Sequence, residues 1–275
     1  MKPVRILIVD DSAFARKVVR EILQGESTEV VGAARDGTEA LELAADLQPD
    51  LIISDLAMPG LGGVEFIRRQ MATRPVPILV LSSASEDASI VLSALQSGAV
   101  DVVHKPSGLA NDQLRDVKVD LLEKITVIMG LSSFPTDRPS ASLKRPVRTQ
   151  VERRVELVAL GISTGGPQAL RRMLPLFPKD FTAAIAIVIH MPIGYTSLYA
   201  EQLNESCDLE VKEAAEGDVL QPGCVCVAPA GQHLRVERTQ TGNAVCRLSL
   251  FPLDKRHRPS VDVLFRSAAE AFGPR

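Results

Sequence analysis

The chain is poor in the residues that mark several functional classes. It has no tryptophan, two tyrosines and only 4% aromatic residues. Stacking platforms for nucleic-acid bases have little to be built from, and any core must rest on Val, Ile, Leu and Ala. No charge of one sign dominates. The formal net charge is −3, and no basic stripe is interleaved with aromatics, so binding to nucleic acid is not expected. Cysteine is scarce too. Of four cysteines, only Cys224 and Cys226 are closely spaced, in Cys224-Val225-Cys226-Val227. No second close pair completes a zinc pattern. Two residues apart, they share one face of a strand as small buried hydrophobes. No apolar run reaches membrane length and no signal-peptide pattern opens the chain, so a cytoplasmic protein that is not membrane-inserted is expected.

What is present suffices for two cores. A chain of 275 residues, 45% of them hydrophobic, exceeds the usual size of one domain. Residues 132–154 are rich in Ser, Pro, Arg and Lys and lack apolar periodicity, which reads as a tether. Its Lys144, Arg145, Arg148, Arg153 and Arg154 are read as solvated charge ahead of a docking patch. The expected division is residues 1–126, a linker over 127–153, and a second domain over 154–275.

In the first half, apolar strands at 5–9, 29–33, 51–54, 78–81 and 100–103 alternate with helical patterns such as 15–23, 38–45 and 64–71. That alternation predicts an α/β, doubly wound parallel sheet with helices on both faces. Acidic residues close its strands. Asp10 and Asp11 end the first, Asp55 follows the third, and Lys105 follows the fifth. Carboxylates converging at one sheet edge repel one another unless a cation joins them, and hard oxygen ligands suit Mg²⁺. A carboxylate beside that metal can attack a phosphoryl donor to form an aspartyl phosphate. Lys105 would offset the added charge, and the Ser82 hydroxyl can reach a phosphoryl oxygen.

These residues resemble the response-regulator receiver family. Asp55-Leu56-Ala57-Met58-Pro59, ending in Gly62-Gly63, is similar to that family's phosphorylation loop. The resemblance implies that Asp55 is the phosphoacceptor, Asp10 and Asp11 the acidic pair, Ser82 the switch hydroxyl and Lys105 the associated lysine. Two positions depart from the family pattern. Val102 stands where an aromatic often swings, and Gly62 where an acid is frequent.

In the second half, Gly161-Ile162-Ser163-Thr164-Gly165-Gly166-Pro167 follows an apolar run at 155–160 and precedes a helical pattern starting near 169. A strand, a glycine-rich turn and a helix would present Ser163 at the sheet rim, with backbone N–H groups around Gly165 and Gly166 facing a developing negative charge. The letters fit a Gly-x-Ser-x-Gly nucleophile turn. A dinucleotide loop and a plain structural turn compete with it. A dinucleotide fold expects an acid at the end of the next strand, but that run, 183–189, ends in His190. Parallel neighbouring strands would bring Ser163 and His190 side by side, as serine nucleophiles require. Histidine follows serine with no acid at a strand's C-terminal end between them, unlike the α/β-hydrolase order, so another fold carrying similar chemistry is expected. His233, in Pro229-Ala230-Gly231-Gln232-His233, reads as a loop residue. Ser260 reads as a helix cap.

The blocks Gly161 to Pro167, His190-Met191-Pro192 with Gly194, Pro222-Gly223, Ala228-Pro229 and Arg256-His257-Arg258-Pro259-Ser260-Val261-Asp262 together resemble the catalytic domain of the CheB family, the chemotaxis protein-glutamate methylesterases. The resemblance implies a parallel-sheet, Rossmann-like domain with Ser163 as nucleophile, His190 as base and Thr164 lining the site. Arg256, His257 and Arg258 form a possible substrate cleft. It implies a phosphorylation-regulated serine hydrolase acting on methylated glutamates of chemoreceptor cytoplasmic helices, with glutamine deamidation through the same intermediate. A chemotaxis histidine kinase would be the phosphodonor, and ester hydrolysis itself would need no cofactor. The family draws a third catalytic residue from a late Gly-Met-Gly-x-Asp-Gly block. The chain ends at Phe272-Gly273-Pro274-Arg275 without one, so the domain is expected to be incomplete at its C-terminus. Asp262 lies too near its helix start to replace that acid. The alternative expectation is a catalytically silent phosphoacceptor or adaptor.

Overall fold

A computed structural model describes residues 2–25, 27–82, 87–105, 111–130 and 155–273, with side chains from 117 onward in the last helix of the first half. The chain forms two compact units, Met1–Arg138 and Pro139–Arg275. Among the described residues, no helix is long and apolar enough to cross a membrane.

In the first unit five strands alternate with five helices: β1 (Val4–Val9), α1 (Ala13–Leu23), β2 (Thr28–Ala34), α2 (Gly37–Leu47), β3 (Leu51–Asp55), α3 (Gly63–Thr73), β4 (Ile78–Ser82), α4 (Ala88–Gln96), β5 (Asp101–His104) and α5 (Asn111–Gly130). The sheet order is β2-β1-β3-β4-β5, parallel throughout. Strands buried on both faces need apolar side chains at every position, and 51–53 and 78–81 supply them without alternation. On one face Ile6, Ile8, Ile53 and Leu79 meet Val19 and Leu23 of α1 and Leu121, Ile125 and Ile128 of α5. On the other, Leu7 meets Leu43 and Leu47 of α2 across Gly32. Helix α5 runs through Gly130, so residues 127–130 belong to a helix and not to the expected linker. The remaining linker residues, including the five basic side chains, lie outside the described residues.

The second unit contains β6 (Leu157–Ile162), α6 (Gly166–Met173), β7 (Ala184–Ile189), α7 (Thr196–Ser206), β8 (Glu210–Glu213), β9 (Cys224–Val227), β10 (His233–Arg238), β11 (Ala244–Ser249) and α8 (Val261–Phe272). The parallel sheet β6-β7-β9-β8 matches the expected architecture. The antiparallel hairpin β10–β11 is an addition that the sequence reading did not separate. Ala186, Val188, Cys226, Leu234, Val236, Cys246 and Leu264 share its core. Cys224 and Cys226 do share a face of β9, buried, with sulfurs 3.7 Å apart. Gly161 lets α8 lie directly on β6, since a Cβ there would fall 2.3 Å from Val261 Cγ1.

Candidate active site

Each unit places polar residues at the C-terminal ends of its parallel strands, where open α/β sheets expose their loops. In the first, Asp10 is 1% exposed just past β1, and Asp55 is 4% exposed at the end of β3. Between them sits Lys105, its Nζ 2.8 Å from Asp10 Oδ2 and 2.7 Å from Asp55 Oδ2. The backbone orients the acids: Leu56 N–H donates to Asp55 Oδ1 at 2.8 Å and Ser12 N–H to Asp10 Oδ1 at 2.9 Å. Arg16, not anticipated from sequence, donates to the Asp10 and Asp11 carbonyls. Burial pushes the Asp55 carboxyl above its ordinary range, more strongly than the Lys105 contact draws it down, and the neighbouring Asp10 charge adds to the rise. Burial opposes the Lys105 charge, but its two carboxylate partners overcome this and raise its pKa. One carboxylate oxygen from each of Asp10, Asp11 and Asp55 lies within 4.8 Å of the others. An all-oxygen, like-charged trio with one raised carboxyl fits a hard divalent cation. Ser82 is fully buried at the end of β4. Val102 lies on β5, where Lys124 Nζ donates to its carbonyl at 2.6 Å.

In the second unit, strand β6 extends two residues beyond the expected run, so Gly161 and Ile162 belong to it. Helix α6 starts at Gly166, earlier than the pattern near 169 suggested. The turn is therefore only Ser163-Thr164-Gly165. Gly165 adopts φ 76° as the residue entering α6, a left-handed conformation that suits glycine. Gly166 N–H donates to the Ser163 carbonyl at 2.7 Å, and Pro167 has no N–H. This corrects the assignment of Gly166 to the oxyanion donors, because its N–H closes the turn.

Strands β6 and β7 pair in parallel with Ile162 beside Ile189. The next residues are Ser163 and His190, and His190 Nδ1 lies 3.1 Å from Ser163 Oγ. An imidazole can take the hydroxyl proton at that nitrogen only in the tautomer that carries its hydrogen on Nε2. Thr164 is half-buried beside the exposed Ser163. From the basic cluster, His257 stacks on His190 with ring centroids 4.3 Å apart and 24° between planes. Arg256, exposed, and Arg258, half-buried, flank it in the chain. Asp262 faces Lys255 at 3.9 Å with its side chain 67% exposed. Ser260 occupies the N-cap position of α8, as expected, although its side chain makes no cap bond. His233 is corrected: it begins β10 and is 0% exposed.

Comparison with known proteins assigns a family to each half of the chain. The CheB methylesterase family profile matches residues 158–275, and the response regulator receiver domain profile matches residues 6–117. A Myxococcus xanthus (strain DK1622) protein named protein-glutamate methylesterase/protein-glutamine glutaminase 5 is 45% identical over 99% of this chain and 79% of its own length. The chain belongs to the protein-glutamate methylesterase/protein-glutamine glutaminase family. A second relative of that name, from Halalkalibacterium halodurans, is 41% identical over 97% of this chain and 77% of its own length. The solved catalytic domain of Thermotoga maritima CheB methylesterase is 39% identical, covering 42% of this chain and 61% of that one at a TM-score of 0.40. In this family the receiver half implies phosphorylation that depends on a divalent metal.

Proposed function

We propose that this chain is a phosphorylation-regulated hydrolase that removes methyl esters from glutamate side chains of chemoreceptor cytoplasmic helices, and deamidates receptor glutamines through the same intermediate. The observation that carries the reading is the 3.1 Å contact between Ser163 Oγ and His190 Nδ1 at neighbouring ends of two parallel strands. Ser163 Oγ attacks the ester carbonyl while His190 Nδ1 takes its proton. Backbone N–H groups beside Ser163, at Thr164 and Gly165, hold the oxyanion. The protonated His190 returns its proton to the departing methoxide, and methanol leaves. Water, deprotonated by the same histidine, then clears the acyl-enzyme. With a glutamine amide, ammonia is the leaving group.

In the first unit Asp55 is the phosphoacceptor, and Asp10, Asp11 and Asp55 would hold Mg²⁺. That ion supplies charge neutralisation between the acids and the incoming phosphoryl group. Lys105 holds the buried carboxylates together and remains beside the added charge, and Ser82 meets a phosphoryl oxygen. A chemotaxis histidine kinase is the phosphodonor, and the unphosphorylated receiver holds the hydrolase back, so that phosphorylation shifts a population between two arrangements. The work is done in the cytoplasm. A catalytically silent adaptor is not favoured, since relatives 41–45% identical across nearly the whole chain carry the enzyme's name.

The test is methanol release from methyl-labelled receptor by the full chain, with and without a small phosphodonor. Donor-stimulated release that falls at least ~10³-fold in Ser163→Ala is expected. Release that Ser163→Ala leaves intact would sink the assignment.

A further inference from the structure

Among the described residues of the second unit, the most deeply buried polar side chain takes no part in the proposed chemistry. His233 is 0% exposed, and both ring nitrogens are engaged. Ser260 N–H donates to Nδ1 at 3.0 Å, so that nitrogen carries a lone pair. Nε2 then carries the hydrogen and donates it to the Pro252 carbonyl at 3.0 Å. These two partners bracket residues 252–260, the segment that includes Arg256, His257 and Arg258. Two residues before His233, Gly231 N–H donates to the Arg258 carbonyl at 3.0 Å. Gly231 and His233, at the entry to β10, thus grip the segment near both ends and at a point between.

The same stretch of chain is also tied to the start of α7. Ala230 N–H donates to Thr196 Oγ1 at 3.1 Å, and Thr196 in turn donates to the Glu213 carboxylate. Thr196, 1% exposed, opens α7 just after the loop that begins at His190. The loop bearing His190 and the segment bearing His257 are therefore referenced to the same few backbone atoms. The outcome is the stacked pair of rings, 4.3 Å between centroids. A stacked partner restricts rotation of the His190 imidazole and keeps Nδ1 turned toward Ser163.

We propose that His233 is a positioning residue of the hydrolase site, holding residues 252–260 so that His257 stacks on His190. This rests on the Ser163–His190 reading given above. A neutral histidine of one tautomer suits the task because it offers one acceptor and one donor in opposite directions from a rigid ring. An alanine would leave the Pro252 carbonyl and Ser260 N–H without these partners in a buried place. A glutamine, with one acceptor and amide donors, would restore both.

The experiment uses the full chain with phosphodonor and compares His233→Ala, His257→Ala, the double variant and His233→Gln. Methanol release gives kcat and KM. The ring resonances of His190 report the stack independently of turnover. Expected for His233→Ala is a kcat lowered by ~10–100-fold, with KM within about two-fold. The double variant should be no slower than His257→Ala alone, and His233→Gln should recover most of the rate. The His190 resonances should move the same way in His233→Ala and His257→Ala. Losses that multiply in the double variant, or His190 resonances that stay in place in His233→Ala, overturn the proposal. If His233→Ala does not fold, His233→Gln decides: a native His190 signal supports the clasp, and a displaced one overturns it. Should the wild-type chain release no methanol, the hydrolase reading fails while the ring resonances still test the clasp.

Discussion

Lys105 is the cation that lets two buried carboxylates sit at one sheet edge. Its replacement by methionine would leave Asp10 and Asp55 facing each other with no counter-charge. Breaking a buried pair in this way costs about 3–5 kcal/mol. Lys105→Met should therefore melt the first unit well below wild type without divalent cation, and added Mg²⁺ should recover part of the loss. Circular dichroism melts with EDTA and with Mg²⁺ check this. Asp55 makes the opposite prediction. Burial, ahead of every other influence, raises its folded pKa above that of the unfolded chain. The folded state then holds a proton that the unfolded state has released, so this group costs stability as pH rises from the ordinary carboxylate range through the raised value. Asp55→Asn cannot titrate and should be more stable than wild type at neutral pH in EDTA, the gap closing below the ordinary carboxylate range. Denaturant unfolding across that range is the measurement, and a gap that widens in acid would reverse the assignment. At this scale the sequence was most legible where a residue's role depends on its place at a strand end. Asp10, Asp55, Lys105, Ser163 and His190 all stand where the alternation of strands and helices put them. His233 was not legible, because its partners lie 19 and 27 residues away and only the folded chain brings them to its ring.

Between elements, the approach of α8 to β6 depends on a missing side chain. Gly161 stands where a Cβ would overlap the Val261 methyl groups at 2.3 and 2.7 Å. Gly161→Ala should force the helix off the strand at a cost of about 1–3 kcal/mol. Because Ser163 is two residues beyond, hydrolysis should fall with it. Adding Val261→Ala removes the obstructing methyls and should restore much of both, whereas a loss that Val261→Ala leaves untouched would show that packing is not the cause. The glycine-rich pattern assigns Gly161 to the turn, and the structure puts it inside β6. The reason is that an apolar run marks a strand's buried centre better than its end, and glycine breaks the apolar pattern without breaking the pairing with Val188. The same kind of error hid the start of α6, where two glycines and a proline look like loop but form the helix's first turn. The hairpin β10–β11 escaped separation because its turn, Thr239 to Asn243, joins strands whose polar faces resemble loop.

Across the whole chain, two units with their own cores predict two unfolding events. Only the unit holding Asp10, Asp11 and Asp55 should respond to a divalent cation. At a Mg²⁺ concentration ten times its dissociation constant the gain is about 1.4 kcal/mol, or roughly 4–8 °C for a domain near this size. Calorimetry with and without Mg²⁺ should show one transition moving and the other staying, and two transitions that move together would contradict independence. The composition foresaw two cores, the βα alternation of the first half foresaw its parallel sheet, and the family resemblance implied the second sheet. The exact end of α5 was not foreseen: residues 127–130, expected in the linker, form its last turn ahead of the tether-like composition that begins at 132. One further consequence follows from the register of β6 against β7. The spacing between nucleophile and base is set by the width of one rung of a hydrogen-bonded ladder, about 4.8 Å, and not by the conformation of a long loop. Heating should therefore leave the catalytic pair assembled until the sheet itself gives way, and the temperature at which hydrolysis is lost should coincide with the second unit's melting instead of preceding it.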